Sequence, residues 1–436
     1  MSISIIILSA GVGSRLNSNI PKVFHKIGNH PLLYHVLDTA NLIKPEKIIL
    51  VISEKLKDYE IEIKKKFNNT QFCIQKHQLG TAHAVKSALN FLGNKPADKT
   101  LILYGDTPLI QKNTLNKLIR KFEKDKSDMC LLCMRPKDPK HYGRIILNKK
   151  NVKKIVEFTE ASENEKKIGL CNSGIMIIKT TYLKSFLKLI NNKNKKKEFY
   201  LTDLIEILNN KQKKITFDIC NYNETLGVND RSDLEDVEKS FQNMKKNYFL
   251  KKGITILDKN SVYFSFDTKI GKDSIIFPNV YFGPGVDIGE NVKLKSFSHI
   301  EGAKIKNQSE IGPFARIRPK TIIEERARIG NFVEIKKSKI HKDVKISHLS
   351  YIGDALVGKN SNVGAGCITC NFDGLNKNPT FIGDDCFIGS NTSLIAPVSI
   401  GDNAVIGAGT VLKENVPPKT TIFRKSMVVK KKNKNN

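Results

Sequence analysis

Tryptophan is absent from the 436 residues, and only eight are cysteine. So few thiols in a chain this long do not make a disulfide scaffold. The pairs Cys130/Cys133 and Cys367/Cys370 have the spacing of a zinc site. Both lie in strand-like stretches, where residues three apart point to opposite faces, so they read as structural thiols. No run of eighteen apolar residues occurs, which leaves no candidate membrane-spanning helix. Ile5 to Leu8 is too short for a signal sequence and has no basic stretch before it, so a cytoplasmic protein without a membrane partner is expected. Acidic residues are scarce, 43 against 73 Lys and Arg, giving a formal charge of +30. Aromatic residues are not interleaved with these lysines as nucleic-acid stacking requires, so no nucleic-acid partner is expected. A positive field that draws in sugar phosphates and nucleotides is the milder inference.

What is abundant is a period of six. Ile270-Gly271, Ile276, Phe282-Gly283, Ile288-Gly289 and Leu294 begin it. Ile311-Gly312, Ile317, Ile323, Ile329-Gly330 and Ile335 continue it, and Ile382-Gly383 through Leu412 complete it. Neither a helix nor a hairpin sheet has this period. Three hexads close one triangular coil, with each aliphatic residue pointing inward and the following glycine expected to take the turn. Stacked coils bury one apolar column, so the C-terminal half is a parallel β-helix, a one-dimensional solenoid. The phase slips near Ile300–Ile305 and near Ile352–Val357, and an insertion between Thr369 and Ile382 must loop out, with the binding face as its expected place.

The first half alternates strands and helices: a strand at Ile3–Leu8, a helix opened by Pro31, strands at Ile48–Ile52 and Phe72–Gln75, a helix at Ala82–Leu92, and a strand at Thr100–Tyr104. A helix over Phe199–Leu208 and a strand over Ile215–Ile219 follow. This implies a mostly parallel, Rossmann-like α/β sheet with ligands beyond the carboxyl ends of its strands. Ser232-Asp-Leu-Glu235 reads as a capping box opening a linker helix, with Leu234, Val237, Phe241, Met244 and Tyr248 on its apolar stripe. The expected domains are 1–228, the linker 229–252, the β-helix 253–427 and a disordered basic tail 428–436.

Leu8-Ser9-Ala10-Gly11-Val12-Gly13-Ser14-Arg15, then Pro21-Lys22, is the sharpest motif. The glycines let backbone N–H groups approach phosphate oxygens, and Arg15 and Lys22 add charge where a triphosphate would lie. A dinucleotide fingerprint needs glycine where Leu16 stands, and a Walker loop needs Gly-Lys-Ser/Thr, which is absent. With Gln75, Gln78-Leu-Gly-Thr81, Tyr104-Gly-Asp106, Tyr142-Gly-Arg144, Glu157, Asn172-Ser-Gly174, Glu198 to Asp203 and Gly227-Val-Asn229, this half resembles the sugar-nucleotide pyrophosphorylases. Together with the hexads, residues 3–425 resemble the bifunctional N-acetylglucosamine-1-phosphate uridylyltransferases/glucosamine-1-phosphate N-acetyltransferases.

That resemblance implies a left-handed β-helix, a homotrimer with shared sites, and four substrates: UTP, N-acetylglucosamine 1-phosphate, glucosamine 1-phosphate and acetyl-CoA. It assigns Leu8, Ser9, Ala10, Gly11, Lys22, Gln75, Gly80, Thr81, Tyr104 and Gly105 to UTP, with Ala10, Gly11, Gln75, Gly80 and Thr81 at uracil and ribose. Gly143, Glu157 and Asn172 would hold the N-acetylglucosamine portion, and Asp106 and Asn229 would ligate Mg²⁺, an ion that takes few protein oxygens. Asp106 could instead be a helix N-cap. In the β-helix, His348 would be the general base, the one side chain type whose ordinary pKa lies near neutrality. Arg318, Lys336, Tyr351 and Asn362 would bind glucosamine 1-phosphate. Ala365, Asn371, Phe372, Ser390, Ala408 and Arg424 would line the acetyl-CoA groove. Phe372 stands where the family usually has Tyr, and Ser9 where it commonly has Ala. Two other readings compete, a uridylyltransferase with a purely scaffolding β-helix and a basic nucleic-acid module. Arg318, Lys336 and His348 speak against the first.

Overall fold

The computed structural model describes residues 2–139, 142–148 and 151–424. The expected tail at 428–436 lies outside them. The chain forms two compact units, Met1–Phe241 and Gln242–Asn436.

In the first unit, strands β1 (Ile3–Leu8), β2 (Lys47–Ile52), β3 (Thr70–Ile74), β4 (Lys99–Tyr104), β5 (Met129–Met134), β6 (Cys171–Lys179) and β7 (Ile215–Cys220) line up as β7-β5-β6-β4-β1-β2-β3. Every residue of β1 is buried, as a strand covered on both faces requires. Ile3, Ile5 and Ile7 pack on one face, towards the helices Leu32–Leu42 and Lys112–Lys124; Ile6 and Leu8 pack on the other, towards Thr81–Ala88 and Leu204–Asn210. The sheet is parallel from β4 to β3, but β6 runs antiparallel to both β4 and β5. It is therefore mixed. Leu8 and Tyr104 are register partners at the carboxyl ends of β1 and β4, so the loops at Ser9–Arg15 and Gly105–Asp106 open at the same end. Cys130 and Cys133 fall in the two opposite cores, as period-two geometry demands.

The helix over the expected Phe199–Leu208 begins two residues later, as a single 3₁₀ turn at Leu201–Asp203 that runs on to Asn210. The linker helix spans Arg231–Lys251 and starts earlier than the capping box places it. Asp230 is the cap: its carboxylate accepts from the Asp233 N–H at 2.9 Å, while Asp233 accepts from the Asn229 N–H at 2.8 Å. Ser232 thus lies inside the first turn. The apolar stripe also turns: Val237 and Phe241 are buried, Tyr248 is exposed, and Phe249 is buried in its place. The reason is that the two halves serve different cores. Phe241 packs against His35 in the first unit, whereas Gln242 exchanges two hydrogen bonds with the Phe264 backbone in the second.

The second unit is a three-faced parallel β-helix. Face I runs from Lys269–Ile270 to Val398–Ile400, face II from Thr255–Ile256 to Thr421–Ile422, and face III from Tyr281–Phe282 to Val411–Leu412. The chain visits I, II and III in turn, and the inward aliphatics form one continuous core. Each fully buried aliphatic contributes roughly 1.5–3 kcal/mol. The regular register step is 18 residues, as between Ile270 and its partner Ile288. It shortens to 17 three times, at Ile288↔Ile305, Ile323↔Ile340 and Ile340↔Val357, and lengthens to 25 at Val357↔Ile382. The slip between Ile335 and Ile340 went unread in the sequence because the lysines there hide the five-residue spacing. These four irregularities fall on the III–I edge, while the first pairing of face II, Ile256↔Ile276, steps 20 residues and the last, Ile406↔Ile422, steps 16.

Apart from Gly312, at φ 90, the glycines after the aliphatic positions do not take the turn through positive φ. A Cβ on Gly330 would lie 1.8 Å from the Ser347 carbonyl oxygen, and one on Gly389 would lie 2.4 Å from the Ala408 nitrogen. These glycines let successive coils stack closely. The left-handed backbone falls two residues later, at positions such as Asp273, Asn291 and Asn403.

Candidate active sites

At the carboxyl end of β1 and β4, Lys22 Nζ lies 2.5 Å from Asp106 Oδ2 and 3.3 Å from Asn229 Oδ1. Two oxygens from distant segments thus converge on one cationic point. Asp106 sits in a turn well before the helix at Lys112, so it is not an N-cap. Val228 N–H donates to the Asp106 carbonyl, which brings the Gly227-Val-Asn229 segment alongside. Lys22 rises from a single 3₁₀ turn, and Gly13 leaves room for it, since a Cβ there would be 2.6 Å from the Lys22 Cβ. At Gly11 a Cβ would meet nothing within 4 Å, so its backbone faces open space. Arg15 is exposed and forms no ion pair among the described residues.

Tyr104 connects this cation site to a second cluster. Tyr104 is half-buried and its hydroxyl is bonded to Thr81; desolvation first, then the Glu157 and Asp106 charges, push its pKa far up, so it stays neutral. Gly174 must be glycine here, because a Cβ would be 2.7 Å from the Tyr104 ring. The Asn172 N–H donates to the Gly143 carbonyl at 2.9 Å, and a Cβ on Gly143 would lie 3.4 Å from the Glu157 carboxylate. Glu157 accepts from the Thr202 hydroxyl at 3.1 Å, and burial raises its pKa. Gln75 is buried, with its amide nitrogen 3.0 Å from His83 Nδ1. Gly80 has φ +109, and a Cβ would meet the Phe199 carbonyl oxygen at 2.5 Å. That close approach lets Phe199 clasp the loop, donating to Leu79 O at 2.8 Å and accepting from Ala82 N at 2.9 Å. Ser9 is buried with its hydroxyl unbonded, and a Cβ on Gly105 would be 2.1 Å from that oxygen.

In the β-helix the expected residues fall on two edges. His348 lies on the II–III edge, and Ala365, Ser390 and Ala408 hold the same corner in the next three coils, linked by Asn391 N→Ala365 O at 2.7 Å and Gly409 N→Ser390 O at 2.8 Å. A cleft of about 250 Å³ opens beside the imidazole, lined by Arg328, Asn331, Ser347 and the Lys295–Glu310 ion pair. His348 Nδ1 contacts Asn331 Oδ1. Asn362 is on face II in the coil above.

Arg318, Lys336 and Asn371 lie on the III–I edge instead. Arg318 and Arg316 share Glu334, at 2.8 and 3.6 Å. Tyr351 reaches towards this edge: a Cβ on Gly353 would lie 2.4 Å from its hydroxyl and 2.8 Å from Asn371 Nδ2. Asn371 Nδ2 donates to Asp354 Oδ2 at 2.6 Å, and Lys337 pairs with the other Asp354 oxygen at 3.0 Å. Lys377, on the inserted loop, stands against Lys336; its ammonium first, then burial and Arg318, lower the Lys336 pKa. Phe372 is exposed. One chain therefore brings the cations and Asn371 together but leaves His348 on the neighbouring edge. Asn331 and Lys377 were not read from the sequence. Lys377 was findable, being the one cation within the insertion; Asn331 depends on register across coils.

No group of three or more His, Cys, Asp or Glu side chains among the described residues is placed to hold a metal, and no described helix is long and apolar enough to cross a membrane.

Residues 4–222 match the Nucleotidyl transferase family. Residues 267–302 match Bacterial transferase hexapeptide (six repeats), and 379–414 match Hexapeptide repeat of succinyl-transferase. Residues 300–372 match the GMPPB C-terminal domain. The chain is 43% identical over 425 residues to the "Bifunctional protein GlmU" of Zymomonas mobilis, covering 97% of this chain and 94% of that one. It is 43% identical over 418 residues to the protein of that name from Paramagnetospirillum magneticum, with 95% and 92% covered. Against the Wolbachia pipientis protein of that name the identity is 41% over 429 residues, with 98% of both chains covered.

Proposed function

The chain belongs to the bifunctional GlmU family, and from that premise we propose how its two units divide the work. It is an enzyme that transfers an acetyl group to glucosamine 1-phosphate and then a uridylyl group to N-acetylglucosamine 1-phosphate. We assign uridylyl transfer to residues 1–228 and acetyl transfer to 253–427, joined through the helix at 229–252. The observation that carries this division is that each unit builds its own cation-lined site on its own scaffold.

In uridylyl transfer a phosphate oxygen of N-acetylglucosamine 1-phosphate attacks the α-phosphorus of UTP, the bond to the bridging oxygen breaks, and pyrophosphate leaves. No protein nucleophile is needed, so positioning and charge neutralisation do the work. Lys22 and Arg15 face the triphosphate, and Gly143, Glu157 and Asn172 hold the sugar. Asp106 and Asn229 suit a divalent cation, Mg²⁺ in our reading, because their oxygens already converge on a positive centre. When bound, the ion neutralises phosphate charge as a Lewis acid.

In acetyl transfer His348 takes a proton from the glucosamine nitrogen as that nitrogen attacks the thioester carbonyl. The C–S bond then breaks and CoA leaves as the thiolate, to be protonated. Arg318, Lys336, Tyr351 and Asn362 hold the sugar phosphate, and the column Ala365, Ser390, Ala408 with Arg424 carries acetyl-CoA. Because His348 and the cation cluster occupy different edges, we read the working unit as a homotrimer in which edges of two copies meet. A ridge on the His348 edge supports this. Phe297, Phe314 and Phe332 stack with centroids 4.9 and 5.0 Å apart, and Leu349 extends them. All four are bulky, exposed and left-handed, with φ between 51 and 61. Each costs about 1–3 kcal/mol of backbone strain, which is offset if the ridge is buried against another copy.

The test is to supply glucosamine 1-phosphate, acetyl-CoA and UTP and follow UDP-N-acetylglucosamine. The product should form, should vanish without acetyl-CoA, and should return when N-acetylglucosamine 1-phosphate replaces the amine. Product formation from the amine without acetyl-CoA, or none from the full mixture, would refute the reading.

A further inference from the structure

We propose that Asn331 is a positioning residue for His348, fixing the imidazole proton on Nδ1 so that Nε2 presents a free lone pair to the incoming amine. This rests on the reading of His348 as the base of acetyl transfer. Asn331 and His348 are Cα register partners in adjacent coils, and both precede a left-handed residue, Phe332 and Leu349, at the same corner. Their side chains therefore leave the edge alike, one above the other. Gly330 lets the coils close up at this point, since any side chain there would strike the Ser347 carbonyl.

The contact runs from Nδ1 to the Asn331 amide oxygen. A carboxamide oxygen can only accept, so the ring must donate from Nδ1. In the neutral ring that leaves Nε2 unprotonated, which is the form a base requires. An amide does this without a negative charge, so it orients the ring yet does not favour the imidazolium as a carboxylate would. Among the described residues, the charged groups on this side are Arg328 in the coil below, the Lys295–Glu310 pair beneath it, and Lys345 on His348's own strand, the register partner of Arg328. From the coil above come the neutral Asn362 and Ala365, with Gly366 N–H donating to the His348 carbonyl at 3.2 Å.

Three variants separate the possibilities, with uridylyl transfer as the internal control for folding. Asn331→Leu should lower kcat of acetyl transfer about tenfold or more while both KM values stay within about twofold. Asn331→Asp keeps the acceptor and adds charge, so the acidic limb of kcat/KM should move up by about one pH unit. His348→Ala should abolish acetyl transfer. If His348→Ala is inactive but both Asn331 variants keep wild-type kcat and an unmoved acidic limb, the positioning role is overturned and the base assignment stands. A loss in Asn331→Leu with the Asn331→Asp limb unmoved overturns it as well. If His348→Ala remains active, the base assignment itself fails.

Discussion

Lys22 neutralises Asp106 and contacts Asn229, at 2.5 and 3.3 Å, and it faces the triphosphate in our reading. Lys22→Ala and Asp106→Ala should each lower kcat of uridylyl transfer by about 10²–10³ while acetyl transfer keeps its wild-type rate. Normal UDP-sugar formation by Asp106→Ala would refute the metal assignment. Asp203 offers a second test. Burial first, then Glu206 and Glu157, hold its carboxyl up at about 6. A carboxyl raised in the folded state contributes stability below its unfolded pKa, and that stability is lost as pH rises through 6. The difference in Tm between Asp203→Asn and the wild type should therefore grow in the variant's favour from pH 4 to pH 7; a flat difference would contradict it. Phe372 is exposed at the base of the inserted loop, where it pairs with Lys377. Restoring a hydroxyl with Phe372→Tyr should raise acetyl-transfer kcat/KM by roughly two- to tenfold, one hydrogen bond's worth, and unchanged kinetics would sink that expectation. The residues of these sites were legible because motifs bring their own chemistry. Asp203 closes the Glu198–Asp203 motif, but its raised pKa depends on which carboxylates the fold packs around it.

At the level of elements, strand positions and the apolar column followed from periodicity alone, because burial repeats with the backbone geometry that creates it. What failed was detail set by contacts between elements. The Ser232–Glu235 pattern is a valid capping signature, yet Asp230 takes the role, accepting from the Asp233 N–H while the Asp233 carboxylate accepts from the Asn229 N–H. The glycines of the hexads were read as turn residues, but close stacking of coils is what demands them. The inserted loop is the element whose function can be isolated. Removing the seven residues from Phe372 to Asn378 would return the 25-residue step to 18. The β-helix should still fold, with Tm within about 4 °C and uridylyl transfer intact, and acetyl transfer should be lost because Asn371 and Lys377 no longer face the substrate. Retained acetyl transfer would show that the loop is only a corner.

At the scale of the whole molecule, length, repeat and alternation gave two units and their classes. Where the two clusters fall was invisible, since the one-residue slips and the 25-residue step gather on one edge only when the coils are stacked. The stacked Phe297, Phe314 and Phe332 ridge was equally hidden, each ring lying a coil away from the next. The central claim is that the acetyl-transfer site takes His348 from one copy and the Arg318–Lys336 cluster from another. The most direct measurement is acetyl transfer by oligomers co-expressed from His348→Ala and Lys336→Ala chains, each inactive alone. Random assembly pairs an intact base edge with an intact cation edge at about one site in four, so about a quarter of the wild-type rate should return. No activity in the mixed oligomers would mean that both edges of a site belong to one chain.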